Sequence, residues 1–178
     1  GLDFVVVDET TDDDDQPALN MILVGARNTM LTNLIQNFEA AKLEVIDIDS
    51  SFLAWCRAAI NEAEADSTFA FLSLTDDVLN FVAVSDKEVK MVRSINIPDR
   101  AMVEVKKAFH SPDEITSTEM ETIVELLQSE LTSSVNYLQM QTNIMLQSIL
   151  FSTASGLEEQ LAQQLAERSY VPLSVPSF

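Results

Sequence analysis

The sequence predicts a mixed α/β fold in which one antiparallel meander is extended by parallel strands and covered by helices. Three observations predict it. Residues 69–97 read as three short apolar strands separated by turns of Thr, Ser and Asp, whose short side chains bond their own backbone at a reversal. The first two strands are apolar on both faces and belong inside a sheet, while the third alternates and belongs nearer an edge. Helical and strand patterns then alternate, as parallel strands joined by crossovers require.

The elements follow in order. Leu2-Asp-Phe-Val-Val-Val7 is a strand. Residues 8–17 are a loop, because Asp12 to Asp15 are consecutive like charges that repel and cannot be buried. A calcium site is the sharper alternative there. The loop has neither the alternating acidic spacing nor the glycine of an EF-hand, so a solvated connection is the simpler reading. Asn20-Met-Ile-Leu-Val-Gly25 is a second strand. Over 29–42, Met30, Leu34, Ile35, Phe38 and Ala41 recur at helical spacing, with Asn28 or Thr29 as N-cap. Leu43-Glu-Val-Ile-Asp-Ile48 reads as a third strand, parallel to its predecessor across the helical crossover. Residues 1–50 thus form a small strand-helix-strand appendage, and residues 51–178 the main domain.

Asp49-Ser-Ser51 caps a helix to about residue 65, with Phe52, Leu53, Trp55, Cys56, Ala59 and Ile60 on its buried side. Trp55 could anchor a partner, but its apolar neighbours one turn away favour a core position. Residues 62–67 are a polar hinge before the meander, whose strands are 69–74, 78–84 and 88–97. In the third, Val89, Met91, Ile95 and Ile97 share a face that only Arg93 breaks, opposite Lys90, Ser94 and Asn96. Pro98 ends it, and a short helix fits 100–109, with His110 as a favourable cation at its C-terminus. Thr116-Ser-Thr-Glu119 is a capping-box pattern opening the longest helix. Met120, Ile123, Val124, Leu127, Leu131, Val135 and Leu138 form its stripe, too short for a firm heptad and better suited to packing across the meander. Residues 143–151 are a strand and Ser152-Thr-Ala-Ser-Gly156 a tight loop. Leu157, Leu161 and Leu165 line a helix ending near 169, and 171–175 is a last short strand. The order from residue 69 is strand, strand, strand, helix, strand, helix, strand, which is that of a ribonuclease-H-like layer.

Composition narrows the function. A net charge of −19 repels phosphate backbones and anionic headgroups, and the ten basic residues form no patch, so direct nucleic-acid binding is excluded as a reading. Cys56 is the one cysteine, which rules out an internal disulfide and a cysteine zinc cluster. Its apolar surroundings mark a buried residue rather than a reactive thiol. No apolar run reaches the length of a membrane span, and no signal peptide is visible. Gly1 reads as a cleavage scar running directly into a strand, so the chain is expected to be an excised piece of a longer protein.

Enzyme constellations are missing. His110 is the only histidine, no Gly-x-Ser-x-Gly elbow or Gly-x-x-x-x-Gly-Lys-Ser/Thr loop occurs, and the chain holds three glycines. A nuclease on this layer would gather carboxylates on the central strands to hold two metals. Here those strands are Phe, Leu, Val and Ala, and the carboxylates sit in turns. Asp76 and Asp77 could hold a metal weakly, but a polar turn accounts for them.

Several strings carry a family resemblance. Met21-Ile-Leu-Val-Gly-Ala-Arg27, the helix ending Phe38-Glu-Ala-Ala-Lys-Leu43, Val45-Ile-Asp-Ile-Asp49, the meander, the helix over 126–137, and Gly156-Leu157 followed by Val171-Pro172-Leu173 together resemble the second half of the actin-like PilM family of type IV pilus assembly proteins. The chain is similar, more distantly, to the cytoplasmic domain of GspL and to FtsA. The resemblance implies that residues 1–50 are the end of an inserted small subdomain and that 51–178 are a degenerate actin-like half. It places Thr75, Asp76 and Gly156 at vestigial nucleotide-loop positions. Actin-like sites use a glycine in the first hairpin so that backbone can approach phosphate. Here that hairpin reads Leu72-Ser-Leu-Thr-Asp-Asp-Val78, with no glycine and two carboxylates, and the second loop keeps only Gly156. The expectation is therefore no ATP hydrolysis and no cofactor. The implied function is a non-catalytic cytoplasmic scaffold, peripheral to the bacterial inner membrane, in a pilus or type II secretion platform. The implied partners are a membrane-tethered PilN-like subunit and an assembly ATPase. The alternatives are an ATP-binding actin-like protein whose absent half completes the site, and a general protein-binding module.

Overall fold

In the computed structural model, residues 2–12, 14–62 and 66–176 are described. The chain divides into two units at Ala54 and Trp55.

In the first unit, β1 (Leu2–Thr11) pairs antiparallel with β2 (Pro17–Gly25), with Phe4 opposite Leu23 and Val6 opposite Met21. Both strands run further than their apolar cores, so the acidic connection shrinks to five residues. Asp12 organises it: its Oδ1 accepts the N–H groups of Asp14 and Gln16, each at 2.9 Å. This is the local side-chain-to-backbone bonding that makes Asp a turn residue.

Helix α1 (Asn28–Ala40) follows, and its N-cap position is Arg27 rather than Asn28 or Thr29, with no side-chain cap. It ends in a Schellman closure. Lys42 turns left-handed at φ 62°, its N–H reaches the Glu39 carbonyl at 2.9 Å, and the Leu43 N–H reaches that of Phe38 at 2.9 Å.

The strand expected over 43–48 does not form, and neither does the parallel crossover pair. Leu43, Val45, Ile46 and Ile48 give the stretch a strand-like composition, but a strand exists only through a neighbour's ladder. In this unit β1 and β2 are paired to each other. The appendage is thus a ribbon and a helix, not a strand-helix-strand unit. Its apolar side chains are poorly covered: Phe4 is 57% exposed and Leu23 59%, and no side chain of its described residues is fully buried.

Helix α2 (Ser51–Glu62) leads into the second unit. The hinge residues 63–65 and the side chains of Phe52 and Trp55, and with them the core position expected for Trp55, lie outside what is described. A five-stranded mixed sheet follows, built from β3 (Thr68–Leu74), β4 (Val78–Ser85), β5 (Glu88–Asn96), β6 (Ser148–Thr153) and β7 (Leu173–Ser174) in the order β5-β4-β3-β6-β7. The first three pair antiparallel and the last two join in parallel, as the element order predicts. β3 and β4 are central and β5 is an edge.

Strict alternation fails at one place in β5. Ala83 pairs with Met91 but Val84 pairs with Val89, so Lys90 is an extra residue in a bulge. The bulge turns Val89 away from the face that Met91, Arg93, Ile95 and Ile97 share. It also interrupts the free edge, where Lys90 and Glu88 form an exposed ion pair.

One sheet face carries Ala70, Leu72, Leu74, Leu79, Phe81, Ala83, Ile149 and Phe151, all buried. Helices α3 (Asp99–His110), α4 (Ser117–Thr142) and α5 (Glu158–Ala166) contribute to that core through Val105, Ile123, Leu127, Leu138, Leu161 and Leu165. Arg93, the charge on an apolar face, is resolved by packing: its guanidinium donates to Ser134 Oγ on α4 at 2.7 Å. The capping box forms as the sequence predicts. Thr116 Oγ1 accepts the Glu119 N–H at 3.3 Å and Glu119 Oε2 accepts the Thr116 N–H at 2.8 Å.

On the opposite face Phe69, Phe71, Val82 and Val84 are buried too. Cys56 and Ala59 on α2 are buried apolar residues outside the helix-side core as well. Burial pushes the Cys56 thiol up to about 11, which keeps it protonated and unreactive.

Two boundaries move. Residues 143–147 are not strand: Asn143 ends α4 in the left-handed conformation at φ 58°, and β6 begins at Ser148. Asn tolerates that conformation, and a helix stop placed there delays the strand. The strand then runs on to Thr153, leaving a shorter loop than Ser152–Gly156.

Candidate functional site

Topology decides where the sequence-predicted positions meet. β3 and β6 are parallel neighbours, and their last register pair is Leu74 with Thr153. The turn carrying Thr75 and Asp76 and the loop carrying Gly156 therefore leave the same end of adjacent strands. This is the end at which open sheets of this kind bind ligands. Thr75, Asp76 and Gly156 are brought together as positions, and the chemistry there can be read directly.

The first turn is closed on itself. The Thr75 N–H bonds the Val78 carbonyl at 2.9 Å, and Thr75 Oγ1 accepts the Val78 N–H at 3.0 Å. The same hydroxyl lies 2.9 Å from Asp77 Oδ1, and the Asp77 carbonyl takes the Ile97 N–H at 2.9 Å. Asp76 is half-buried and Asp77 exposed. The Thr75 amide and hydroxyl are thus spent on the turn itself, which carries two carboxylates.

The second loop is closed in the same way. Thr153 Oγ1 accepts the Ser155 N–H and Ser155 Oγ accepts the Leu157 N–H, each at 3.3 Å. The Thr153 N–H at the end of the strand donates to Glu158 Oε1 at 2.9 Å. Gly156 has φ +80°, a conformation that glycine adopts at no steric cost. The start of α5 carries Glu158 and Glu159 in its first turn. Negative side chains already complement the partial positive charge of that helix end. A helix N-terminus favours an anion through its free N–H groups. Here the amides of Thr153, Ser155 and Leu157 bond the chain's own oxygens, and Glu158 brings a carboxylate to the end of β6. A phosphate would meet the carboxylates of Glu158 and Glu159 beside that helix start.

The face of the sheet opposite the three helices carries a polar row near this end. Ser94, Asn80, Ser73 and Ser152 are register neighbours on β5, β4, β3 and β6, and Ser94 Oγ donates to Asn80 Oδ1 at 2.7 Å. None is acidic. Among the described residues no group of three or more His, Cys, Asp or Glu is placed to hold a metal ion, and the acidic turn at Asp12 to Asp15 is no exception for its described members. No helix among the described residues is long and apolar enough to cross a membrane.

Sequence reasoning missed Glu158. Its signal was present, since a glutamate following Ser-Gly-Leu at a helix start is a capping acid that can reach back to the strand just left.

Two charged pairs fix the helices around this core. Lys107 Nζ on α3 bonds both carboxylate oxygens of Glu119, at 2.8 and 2.9 Å. That bond, then the Thr116 N–H and hydroxyl, hold the Glu119 carboxyl at about 2. Arg168 forms a two-pronged pair with Glu121, at 2.8 and 2.6 Å, which keeps that carboxyl below its ordinary range.

No protein-family model matches the chain, and no curated protein does. Solved structures do. The chain is similar to a PilM–PilN type IV pilus biogenesis complex at a TM-score of 0.70 and 18% identity, over 99% of this chain and 56% of that one. It is similar at a TM-score of 0.46 and 10% identity to a Bacteroides thetaiotaomicron protein with an actin-like ATPase fold, over 96% of this chain and 53% of that one. A third likeness is to the ethanolamine utilization protein EutJ from Carboxydothermus hydrogenoformans, at 0.47 and 9%, over 86% and 57%. The chain spans little more than half the length of each. The first likeness shows a PilM-like fold, the one that the sequence strings resemble.

Proposed function

We propose that the chain is a non-catalytic scaffold that works by protein-protein docking in a type IV pilus or type II secretion assembly platform. One observation carries the non-catalytic part. At the sheet end where an actin-like site would take phosphate, Glu158 occupies the Thr153 N–H, and the Thr75 hydroxyl closes its own turn against Asp77. Two further carboxylates, Asp76 and Glu159, belong to the same turn and helix start. Placing a polyanion among them costs affinity unless a metal bridges the charges.

The docking part is supported by the fold likeness to a PilM–PilN complex and by the uncovered apolar ribbon of the first unit. An apolar surface of that extent beside acidic turns suits a segment that alternates apolar and basic residues. The partner in this reading is a membrane-tethered PilN-like subunit, with an assembly ATPase as a second. The chain then sits on the cytoplasmic side, peripheral to the bacterial inner membrane. Titration of a synthetic PilN-like cytoplasmic segment into the chain tests this. Saturable binding that weakens with salt is expected, and binding unaltered by Phe4→Glu and Leu23→Glu together contradicts the assignment of the ribbon.

A further inference from the structure

One end of the main sheet is poor in charge on its β6 and β7 side, the Asp86-Lys87 turn lying at the same end on the β4 and β5 side. From Leu131 to Leu157 the sequence contains no Asp, Glu, Lys, Arg or His, and from Ser169 to Phe178 none again, in a chain of net charge −19. Topology brings these stretches together. β6 and β7 run parallel, with Ile149 beside Leu173, so the connections leading into them lie at one end of the sheet, away from the Thr75 and Gly156 loops.

Four of the five exposed large apolar side chains among this unit's described residues lie toward this end. Tyr137 and Met140 lie on the last turns of α4, Met145 on the connection to β6, and Tyr170 on the connection to β7, where it is fully exposed. Val103 on α3 is the other such residue among the described ones. Beside Tyr170 is a groove of about 140 Å³ floored by Leu131, Val135, Ile149, Leu165 and Val171. A cavity of this size holds about one aromatic ring. Arg168 borders it, but its charge is matched by Glu121.

We propose that this end is a homotypic interface that takes a second copy of the chain, Tyr170 of each copy entering the groove of the other. Two arguments select a second copy over a different partner. Acidic chains repel one another over most of their surface, and contact between copies costs least where charge is sparse, as it is beside β6 and β7. A projecting ring beside a ring-sized groove on the same face is self-complementary, which is what a two-fold interface requires. Charge depletion with exposed Tyr and Met is also the composition of an interface centre. The inference does not rest on the scaffold reading and stands if the chain binds nucleotide.

Sedimentation equilibrium of the whole chain, from low micromolar to several hundred micromolar and at low and high salt, tests it. The expected result is a reversible dimer that added salt strengthens or leaves unchanged, since salt screens the general repulsion and no ion pair is lost. Tyr170→Asp and Met140→Glu each weaken it by roughly tenfold or more, while Val103→Glu leaves it alone. These side chains are exposed, and unchanged circular dichroism verifies that each variant folds. A monomer at every concentration overturns the proposal. So does a dimer insensitive to Tyr170→Asp and Met140→Glu but lost with Phe4→Glu, which would assign association to the ribbon. Tyr170-dependent binding of another protein by a chain that stays monomeric overturns it as well.

Discussion

Replacing Glu158 by Ala removes the acceptor of the Thr153 N–H and a negative charge from the first turn of α5. Thr153 is buried and its N–H has this carboxylate as its partner. A hydrogen bond to a charged group contributes about 1.5–3 kcal/mol, and an acid in a helix's first turn about 0.3–1 kcal/mol. Glu158 is only half-buried and borders an open hollow with Ala154 and Gly156. Water can therefore recover part of the loss, and a net cost of about 1–2 kcal/mol is expected. For a chain of this length that corresponds to a fall in Tm of roughly 2–8 °C. Glu158→Gln keeps a carbonyl oxygen for the Thr153 N–H and should cost less than half as much. Thermal melts of the two variants, with amide exchange followed at Thr153, provide the assay. Exchange at that amide should quicken by about tenfold in the Ala variant. Unchanged exchange there would mean that Glu158 does not close the loop, and the argument that the chain fills its own phosphate position would fail.

Further outcomes follow from other residues. Asp86 and Lys87 form a two-residue hairpin turn with φ of 54° and 63°, a geometry that costs a non-glycine residue about 1 kcal/mol, so Lys87→Gly should stabilise the protein by about that amount in urea unfolding. Thr116→Ala should cost about 1 kcal/mol by removing the cap of α4, read in the same way. Glu119 titrates at about 2 when folded and near its ordinary 4.5 when unfolded, so the unfolded chain binds the extra proton between those values. The stability it contributes is whole above about pH 4.5 and is lost as pH falls through about 2. Glu119→Gln should flatten that part of an acid unfolding series.

The main sheet was legible because each strand announces itself. Phe69 to Leu74 and Val78 to Val84 are continuous apolar runs bounded by Asp turns, and the crossover helices leave little choice of strand order. Boundaries were less legible where a left-handed residue ends a helix, since Asn143 and Lys42 look like ordinary polar positions in sequence. Residues 43–48 misled because apolar, β-branched composition records a propensity and says nothing of whether a partner strand is available. The bulge at Lys90 was hidden for a related reason: an inserted residue shifts parity without changing composition. At the candidate site, the missing glycine and the acids of the first turn were visible as letters. The closure of both loops was not, because Glu158 reaches Thr153 through a side chain whose direction only the fold determines.

The central claim is that this sheet end, with its loops bonded to the chain's own side chains and lined by carboxylates, does not bind a nucleotide's phosphates. Isothermal titration of Mg-ATP into the longest natural protein that carries this chain tests it most directly. The account predicts no saturable heat at millimolar nucleotide. Micromolar binding abolished by Thr75→Ala or by Gly156→Val would contradict it and establish an ATP-binding actin-like protein instead.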